Sequence, residues 1–198
     1  IWDKRTRELF VARDGLGVKP FYFTENRGCF RFSSEIKGIL SDPTIARSVN
    51  AKAVVDHLVY LWCPTPHTVV EGVEKLEPGH AMLIRNGRIV DKWQFYDLSY
   101  RVAVSEIDSA SAIEKTRSLI FRAVEKQLIS DVPVGTFLSG GLDSSTVTAF
   151  AKQCRPGERL KAFSIDLQGR GKESEGTVDD LPFARQVAAV MAPPHFDK

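Results

Sequence analysis

The chain has 198 residues, 43% of them hydrophobic and 26% charged, which is the composition of a globular polypeptide with room for one domain or two small ones. A net charge of +2 gives no electrostatic case for nucleic acid or an acidic membrane surface, and no run of 18 uninterrupted apolar residues or signal peptide is visible. Cys29, Cys63 and Cys154 are odd in number and lack Cys-x-x-Cys spacing, so reduced thiols in a cytoplasmic protein fit better than a disulfide framework or a zinc site. The first residue is Ile1, inside what reads as a strand, and the expectation is a piece of a longer protein.

Glu8 to Ala12 reads as a strand, followed by a loop shaped by Gly15, Gly17 and Pro20 that returns into a strand at Phe21 to Phe23. Glu25 to Gly28 is a turn, Cys29 to Ser33 alternates like another strand, and Ser34 to Leu40 is a short helix stopped by Asp42-Pro43. Arg13, Asp14, Lys19, Glu35 and Lys37 read by themselves as a surface ion-pair network that orients the loop. Asn50 caps a helix through Leu61 whose buried face is Val54, Val55, Leu58, Val59 and Leu61. Trp62 to Thr68 is a rigid loop, and Asn86-Gly87 joins a hairpin of Ala81 to Ile84 and Arg88 to Val90 through a type I′ turn. His67 and His80 have no Cys, Asp or second His at metal spacing, so both are expected to make structural hydrogen bonds.

A domain boundary is expected between Trp93 and about Glu106. Ser111 and Glu114 fit a capping box, opening a helix with Ile113, Ile120, Val124 and Leu128 on one face. A β-prone run from Val132 to Leu138 then meets Ser139-Gly140-Gly141-Leu142-Asp143-Ser144-Ser145, followed by a helix from Ser144 with Val147, Phe150, Ala151 and Cys154 on one face. Strand, double-glycine turn and helix N-terminus is a geometry that holds phosphate: glycines allow close main-chain approach, and free N–H groups with the positive helix end face the anion. Ser139, Ser144 and Ser145 add hydroxyl donors. Asp143 would repel phosphate directly, but Mg²⁺ commonly bridges a carboxylate and phosphate oxygens. This is neither the Walker loop, which needs Lys then Ser or Thr after its second glycine, nor the dinucleotide fingerprint of three spaced glycines.

Further on, Phe163, Ile165 and Leu167 alternate in a second strand from Arg159 to Leu167, expected to lie parallel to the loop strand after a helical crossover. Gln168 to Val178 is polar and reads as mobile. Asp179 or Asp180 caps a final helix with Pro182 in its first turn and Phe183, Val187, Val190 and Met191 inward.

The full Ser139 to Ser145 motif resembles the pyrophosphate loop of the ATP-pyrophosphatase superfamily, and the preceding Ser130-Asp131-Val132-Pro133-Val134-Gly135 narrows the likeness to the glutamine-dependent asparagine synthetase family. Ala12 to Phe23, Ser33 to Leu40, Pro64 to Thr68 and Lys75 to His80 are similar to that family's segments in the same order, with Glu77 where proline is usual. The resemblance implies an α+β N-terminal-nucleophile amidohydrolase domain of antiparallel sheets with helices over residues 1–98. A linker at 99–108 and an α/β parallel-sheet ATP-pyrophosphatase domain at 109–198 would follow, both domains incomplete.

It further implies ATP and Mg²⁺ as cofactors, small-molecule substrates (ATP, aspartate, glutamine) without nucleic acid or membrane, and homodimer formation as an option. The implied reaction is ATP-dependent, glutamine-hydrolysing amidation of aspartate to asparagine through β-aspartyl-AMP, releasing AMP and pyrophosphate. Leu138, Ser139, Gly140, Gly141, Leu142, Asp143, Ser144, Ser145 and Ile165 are the implied ATP and pyrophosphate contacts, with Asp143 toward Mg²⁺. The N-terminal Cys nucleophile and the aspartate-binding segments are not among these residues, so no catalytic residue is assigned and the chain alone is expected to be inactive. The alternatives are a β-lactam-synthetase-like or other amidotransferase relative acting on a different carboxylate, an inactive nucleotide-binding regulatory module, and a purely structural domain.

Overall fold

The computed structural model describes residues 1–98, 108–165 and 180–191. The chain divides into two compact units, Ile1–Ala103 and Val104–Lys198. The sequence expectations for Leu167, for Gln168 to Val178, for Asp179 and for nearly all of the 99–108 linker lie outside the described residues.

The first unit runs β1 (Trp2–Asp3), β2 (Glu8–Ala12), β3 (Tyr22–Asn26), β4 (Cys29–Ser33), α1 (Ile36–Leu40), α2 (Ala51–Tyr60), β5 (Glu74–Lys75), β6 (His80–Arg85) and β7 (Arg88–Gln94). It is a mixed α/β unit whose sheets are antiparallel, one in the order β1-β2-β6-β7 and one in the order β4-β3-β5. Directly opposed residues share a face, so the register Leu9↔Ile84 and Val11↔Met82 lines up one apolar surface. Val11, Met82 and Ile84 from the first sheet and Phe23 from the second bury one another around Leu76. Each such side chain contributes about 2 kcal/mol by leaving water. A second cluster, Ile39, Ile45 and Val73, seats α1 against Tyr22.

The β6–β7 turn has Asn86 at φ 51° and Gly87 at φ 74°, the left-handed pair that a type I′ hairpin requires. A Cβ on Gly87 would run into the Gly28 carbonyl, so this tip packs on the β3–β4 turn. A bond from the Ile89 N–H to the Glu25 carboxylate (2.9 Å) ties the same two hairpins. The loop from Trp62 to Thr68 is held as expected: the buried Thr68 hydroxyl lies 2.9 Å from the Val70 carbonyl and 2.7 Å from that of Val73, and the Lys75 ammonium donates to the Cys63 carbonyl. His80 makes the structural bond expected of it, Nδ1 to the Pro78 carbonyl at 2.9 Å.

Several expectations are corrected. β7 continues to Gln94 instead of stopping at Val90, because an edge strand with exposed, charged residues carries little hydrophobic period to read. The face of α2 expected to be buried is exposed at Val55, Leu58, Val59 and Leu61; only Ala53 is fully covered, and Leu58 is 73% exposed. Asn50 does cap α2, accepting from the Ala53 N–H, but Leu61 ends the helix at φ 59°. Periodicity shows which side of a helix is apolar, not that a neighbour lies against it.

The second unit runs α3 (Ser109–Gln127), β8 (Gly135–Phe137), α4 (Leu142–Cys154), β9 (Lys161–Phe163) and α5 (Leu181–Met191). β8 and β9 pair in parallel with Phe137 opposite Phe163, the neighbour relation expected from the sequence, though both strands are shorter than their β-prone runs. Val124 and Leu128 of α3 pack on Ala151 of α4, and the Phe121 and Phe150 rings meet edge-on at 5.8 Å. The cap of α3 is Asp108 instead of Ser111: its carboxylate accepts from the Ala110 and Ser111 N–H groups at 3.0 Å each. The helix starts at Ser109, which leaves Ser111 at the third helical position, its own hydroxyl donating to the Asp108 carboxylate at 2.6 Å. Ile113 and Ile120 are exposed, as are Val147 on α4 and Phe183 and Val190 on α5, against expectation; no described residue covers them fully.

Candidate functional site

Leu138 closes the loop strand. It is buried, its N–H donates to the Phe163 carbonyl at 2.8 Å, and its own carbonyl accepts from the Ser164 hydroxyl at 2.7 Å. The chain then turns at Ser139-Gly140-Gly141 into α4, which begins at Leu142, two residues earlier than the periodicity suggested, with Gly141 as its cap residue. Starting at Leu142 places the N–H groups of Leu142, Asp143 and Ser144 in the first turn of α4, where a helix has no partners of its own for them, while the Ser145 N–H donates to the Gly141 carbonyl at 3.0 Å.

Two of the loop's hydroxyls hold the turn together. Ser139 Oγ and Ser144 Oγ are 2.9 Å apart, the Ser139 N–H donates to Ser144 Oγ at 3.2 Å, and Ser144 Oγ donates to the Gly141 carbonyl at 3.2 Å. Ser139 Oγ also accepts from the Gly141 N–H at 3.4 Å. Ser145 differs: its Oγ is buried and has no hydrogen-bond partner among the described residues. The N–H groups of Gly140, Leu142, Asp143 and Ser144 likewise find no acceptor among the described residues. Asp143 is exposed in the first turn of α4, and Ile165, just past β9, is 73% exposed.

Gly140 has φ +84°, a region that side chains other than glycine resist, and a Cβ there would lie 2.5 Å from Ala184 N and from Phe183 Cβ. The anchor beneath the loop is also side-chain work: the buried Thr148 hydroxyl reaches Thr136 Oγ1 of β8 at 3.1 Å and the Ser144 carbonyl at 2.8 Å. Sequence reasoning missed Thr136, Thr148, Ser164 and the contact with α5. Thr148 left a trace, a polar residue on the packed side of α4 four positions after Ser144; the approach of Phe183 and Ala184, more than forty residues away, left none.

These donors fit a phosphate chain: helix N-terminal N–H groups and a buried hydroxyl that have no partner among the described residues, beside a turn of two glycines. They do not make a metal site of protein ligands alone. Among the described residues no three His, Cys, Asp or Glu side chains cluster, so a cation beside Asp143 would need phosphate oxygens to complete its shell. Burial, and secondarily the nearby Glu125, pushes the Cys154 thiol above its ordinary range, which sets it apart from activated nucleophiles. No helix among the described residues is long and apolar enough to cross a membrane.

Residues 1–96 match the family model described as glutamine amidotransferase domain, and residues 115–198 match the one described as asparagine synthase. The chain is 34% identical over 203 residues to asparagine synthetase (glutamine-hydrolyzing) 3 of Bacillus subtilis, an alignment covering 98% of this chain and 33% of the relative. It is 36% identical over 177 residues to putative asparagine synthetase (glutamine-hydrolyzing) 2 of Methanocaldococcus jannaschii, covering 88% of this chain and 34% of the relative. Amidase chry2 of Gibberella zeae is 31% identical over 153 residues, covering 74% of this chain and 22% of the relative. The chain thus spans about a third of the length of the two asparagine synthetases. With an amidotransferase match on its first half, an asparagine synthase match on its second and these relatives across both, the chain belongs to the glutamine-hydrolysing asparagine synthetase family.

Proposed function

We propose that this protein takes part in ATP-dependent, glutamine-hydrolysing synthesis of asparagine from aspartate, and that the loop Ser139 to Ser145 is where it grips the nucleotide's phosphates. One observation carries the reading: a glycine turn between a parallel strand and a helix whose first-turn amides, with the buried Ser145 hydroxyl, have no acceptor among the described residues. Residues 1–98 are the glutaminase part, 99–108 the linker and 109–198 the start of an ATP-pyrophosphatase domain of parallel α/β type. The printed names of the relatives and the two family matches support that division.

Within the loop, the N–H groups of Gly140, Leu142 and Asp143 and the hydroxyl of Ser145 would bind the β and γ phosphoryl oxygens. Fixed donors stabilise the charge that develops on a departing pyrophosphate without having to reorient. Ser139 and Ser144 hold the turn. Leu138, expected from the sequence as a further nucleotide contact, is buried and braces the loop from beneath. Ile165 would contact the adenine, and Asp143 would hold Mg²⁺. When bound, that ion would neutralise phosphate charge and orient the chain of phosphoryl groups. A cytoplasmic location and a homodimer belong to the same reading, the first supported by three cysteines free of disulfides.

A second reading, an amidotransferase relative acting on a different carboxylate, draws on the likeness to a protein whose printed name is not asparagine synthetase. Asp143→Ala in the full-length protein tests the first reading's phosphate step. ATP–pyrophosphate exchange driven by aspartate should fall at least about 100-fold while glutamine hydrolysis is kept. Unchanged exchange overturns the role given to Asp143, and exchange driven only by another carboxylate favours the second reading.

A further inference from the structure

The phosphate loop is fixed on three sides by neighbours that are themselves fixed. Leu138 is bonded to β9 through Phe163 and Ser164, the Ser139 and Ser144 hydroxyls bridge the turn, and Thr148 ties α4 to β8. The fourth side is α5, and its contact is chiefly with the helix main chain at Phe183 and Ala184. A Cβ on Gly140 would overlap the Phe183 carbonyl carbon and sit 2.5 Å from Ala184 N and from Phe183 Cβ, so the loop abuts backbone and the root of one side chain, atoms that cannot swing away to absorb a shift. Ala184 is 2% exposed and is the one fully buried residue of α5 among those described, while Phe183 is half-exposed and Val190 is 88% exposed. The helix is therefore seated chiefly at the point where it backs the loop. Ala184 also closes the first turn of α5, its N–H donating to the Asp180 carbonyl at 2.9 Å.

We propose that Ala184 is a positioning residue for the phosphate loop: through Gly140, seating of α5 and binding of a magnesium-bound pyrophosphate group at the loop form one coupled equilibrium. This rests on the phosphate-binding reading above, to which the Ser145 hydroxyl, without a partner among the described residues, points independently. The physical reason is that close-packed contacts transmit displacement instead of absorbing it. A tilt of α5 leaves Gly140 unsupported in a left-handed conformation that it alone permits, and the amides on either side lose their aim. Coupling of this kind is reciprocal, so the ligand must steady the helix by the factor by which the helix improves the site.

The test measures amide hydrogen exchange of Ala184 to Met191 in the full chain, with and without magnesium pyrophosphate, beside the affinity for that probe. Saturation is expected to slow exchange in α5 about tenfold, within the ordinary coupling range of roughly 5- to 150-fold. Ala184→Leu, which pushes the helix outward, is expected to weaken binding about tenfold, whereas Ala184→Ser, close in volume, stays within about twofold. The exchange measurement on the unaltered chain stands even where Ala184→Leu fails to fold. Binding that leaves α5 exchange unchanged, or a folded Ala184→Leu that binds as tightly as the unaltered chain, overturns the coupling alone. An unaltered chain that does not bind the probe overturns the phosphate reading and the coupling with it.

Discussion

Two glycine-bearing loops in this chain, Arg13 to Lys19 and Ser139 to Ser145, use their backbone amides in opposite ways. In the first, the Asp14 carboxylate accepts from the N–H groups of Leu16 (3.2 Å), Val18 (2.9 Å) and Lys19 (3.1 Å). The Arg13 guanidinium meanwhile donates to the carbonyls of Gly17 (2.7 Å), Lys19 (2.9 Å) and Leu76. Those backbone bonds hold the Asp14 carboxyl below its ordinary range, the Val18 N–H contributing most. This corrects the ion-pair network expected from the sequence: Arg13 and Asp14 clamp the main chain, and only Glu35 and Lys37 form an exposed pair, at 2.6 Å. A loop that satisfies itself is scaffold. The second loop leaves its helix-end amides without acceptors among the described residues, and its one acidic side chain, Asp143, accepts no hydrogen bond there. Composition does not separate the two; the destination of each N–H does.

Breaking the self-satisfied loop should have the largest effect. Arg13→Ala removes three bonds to carbonyls, one of them in the core-lining segment at Leu76, and is expected to lower the unfolding free energy of the first unit by about 3 kcal/mol. Urea unfolding followed by aromatic fluorescence measures it, and pyrophosphate affinity should not change. A loss of affinity equal to the loss of stability would erase the contrast between the loops.

A smaller effect is expected from Thr148→Val, which keeps shape but removes the bridge between β8 and α4, at a cost of about 1 kcal/mol. Here stability and pyrophosphate affinity should fall together, since the anchor lies beneath the phosphate loop. Calorimetric titration showing full affinity in a destabilised variant would confine Thr148 to the scaffold.

The smallest effect concerns acid. Bonds from Thr44, side chain first, and then Arg31 hold the Asp42 carboxyl down to about 2 from an ordinary value of 3.8. Because the folded value is the lower one, this stabilisation is complete above about pH 4 and is lost as pH falls through about 2. Asp42→Asn should flatten the acid-unfolding curve of the first unit in that window. An unchanged curve would show that the Arg31–Asp42 pair, 2.5 Å apart, does not fasten β4 to the end of α1.

Local chemistry was legible in the sequence wherever neighbours in the chain decide the outcome. The β4 strand, the Asn86-Gly87 turn and the Asn50 cap follow from alternation, φ preference and hydrogen-bonding side chains, and the parallel partner of the loop strand follows from the strand–helix–strand crossover. Long-range covering was not legible. Val55 and Leu58, like Ile113 and Val147, sit on apolar faces that periodicity marks as core, yet covering depends on a partner that no periodicity reveals. The phosphate loop was the most readable stretch because its strand, turn and helix cap are contiguous. Its wall at Ala184 was the least readable, since it arrives from another element.

The meeting of the β6–β7 tip with the β3–β4 turn has a consequence for how this protein can vary. The Gly28 carbonyl occupies the place where any side chain at residue 87 would begin, so residue 87 cannot gain bulk while the other corner stays put, whereas a Cβ on Gly28 would meet open space and is opposed only by its φ of +71°. Bulk at residue 87 should be tolerated only together with a compensating shift at Arg27-Gly28. The two corners, almost sixty residues apart, would then drift through evolution or a mutational library as a single locus.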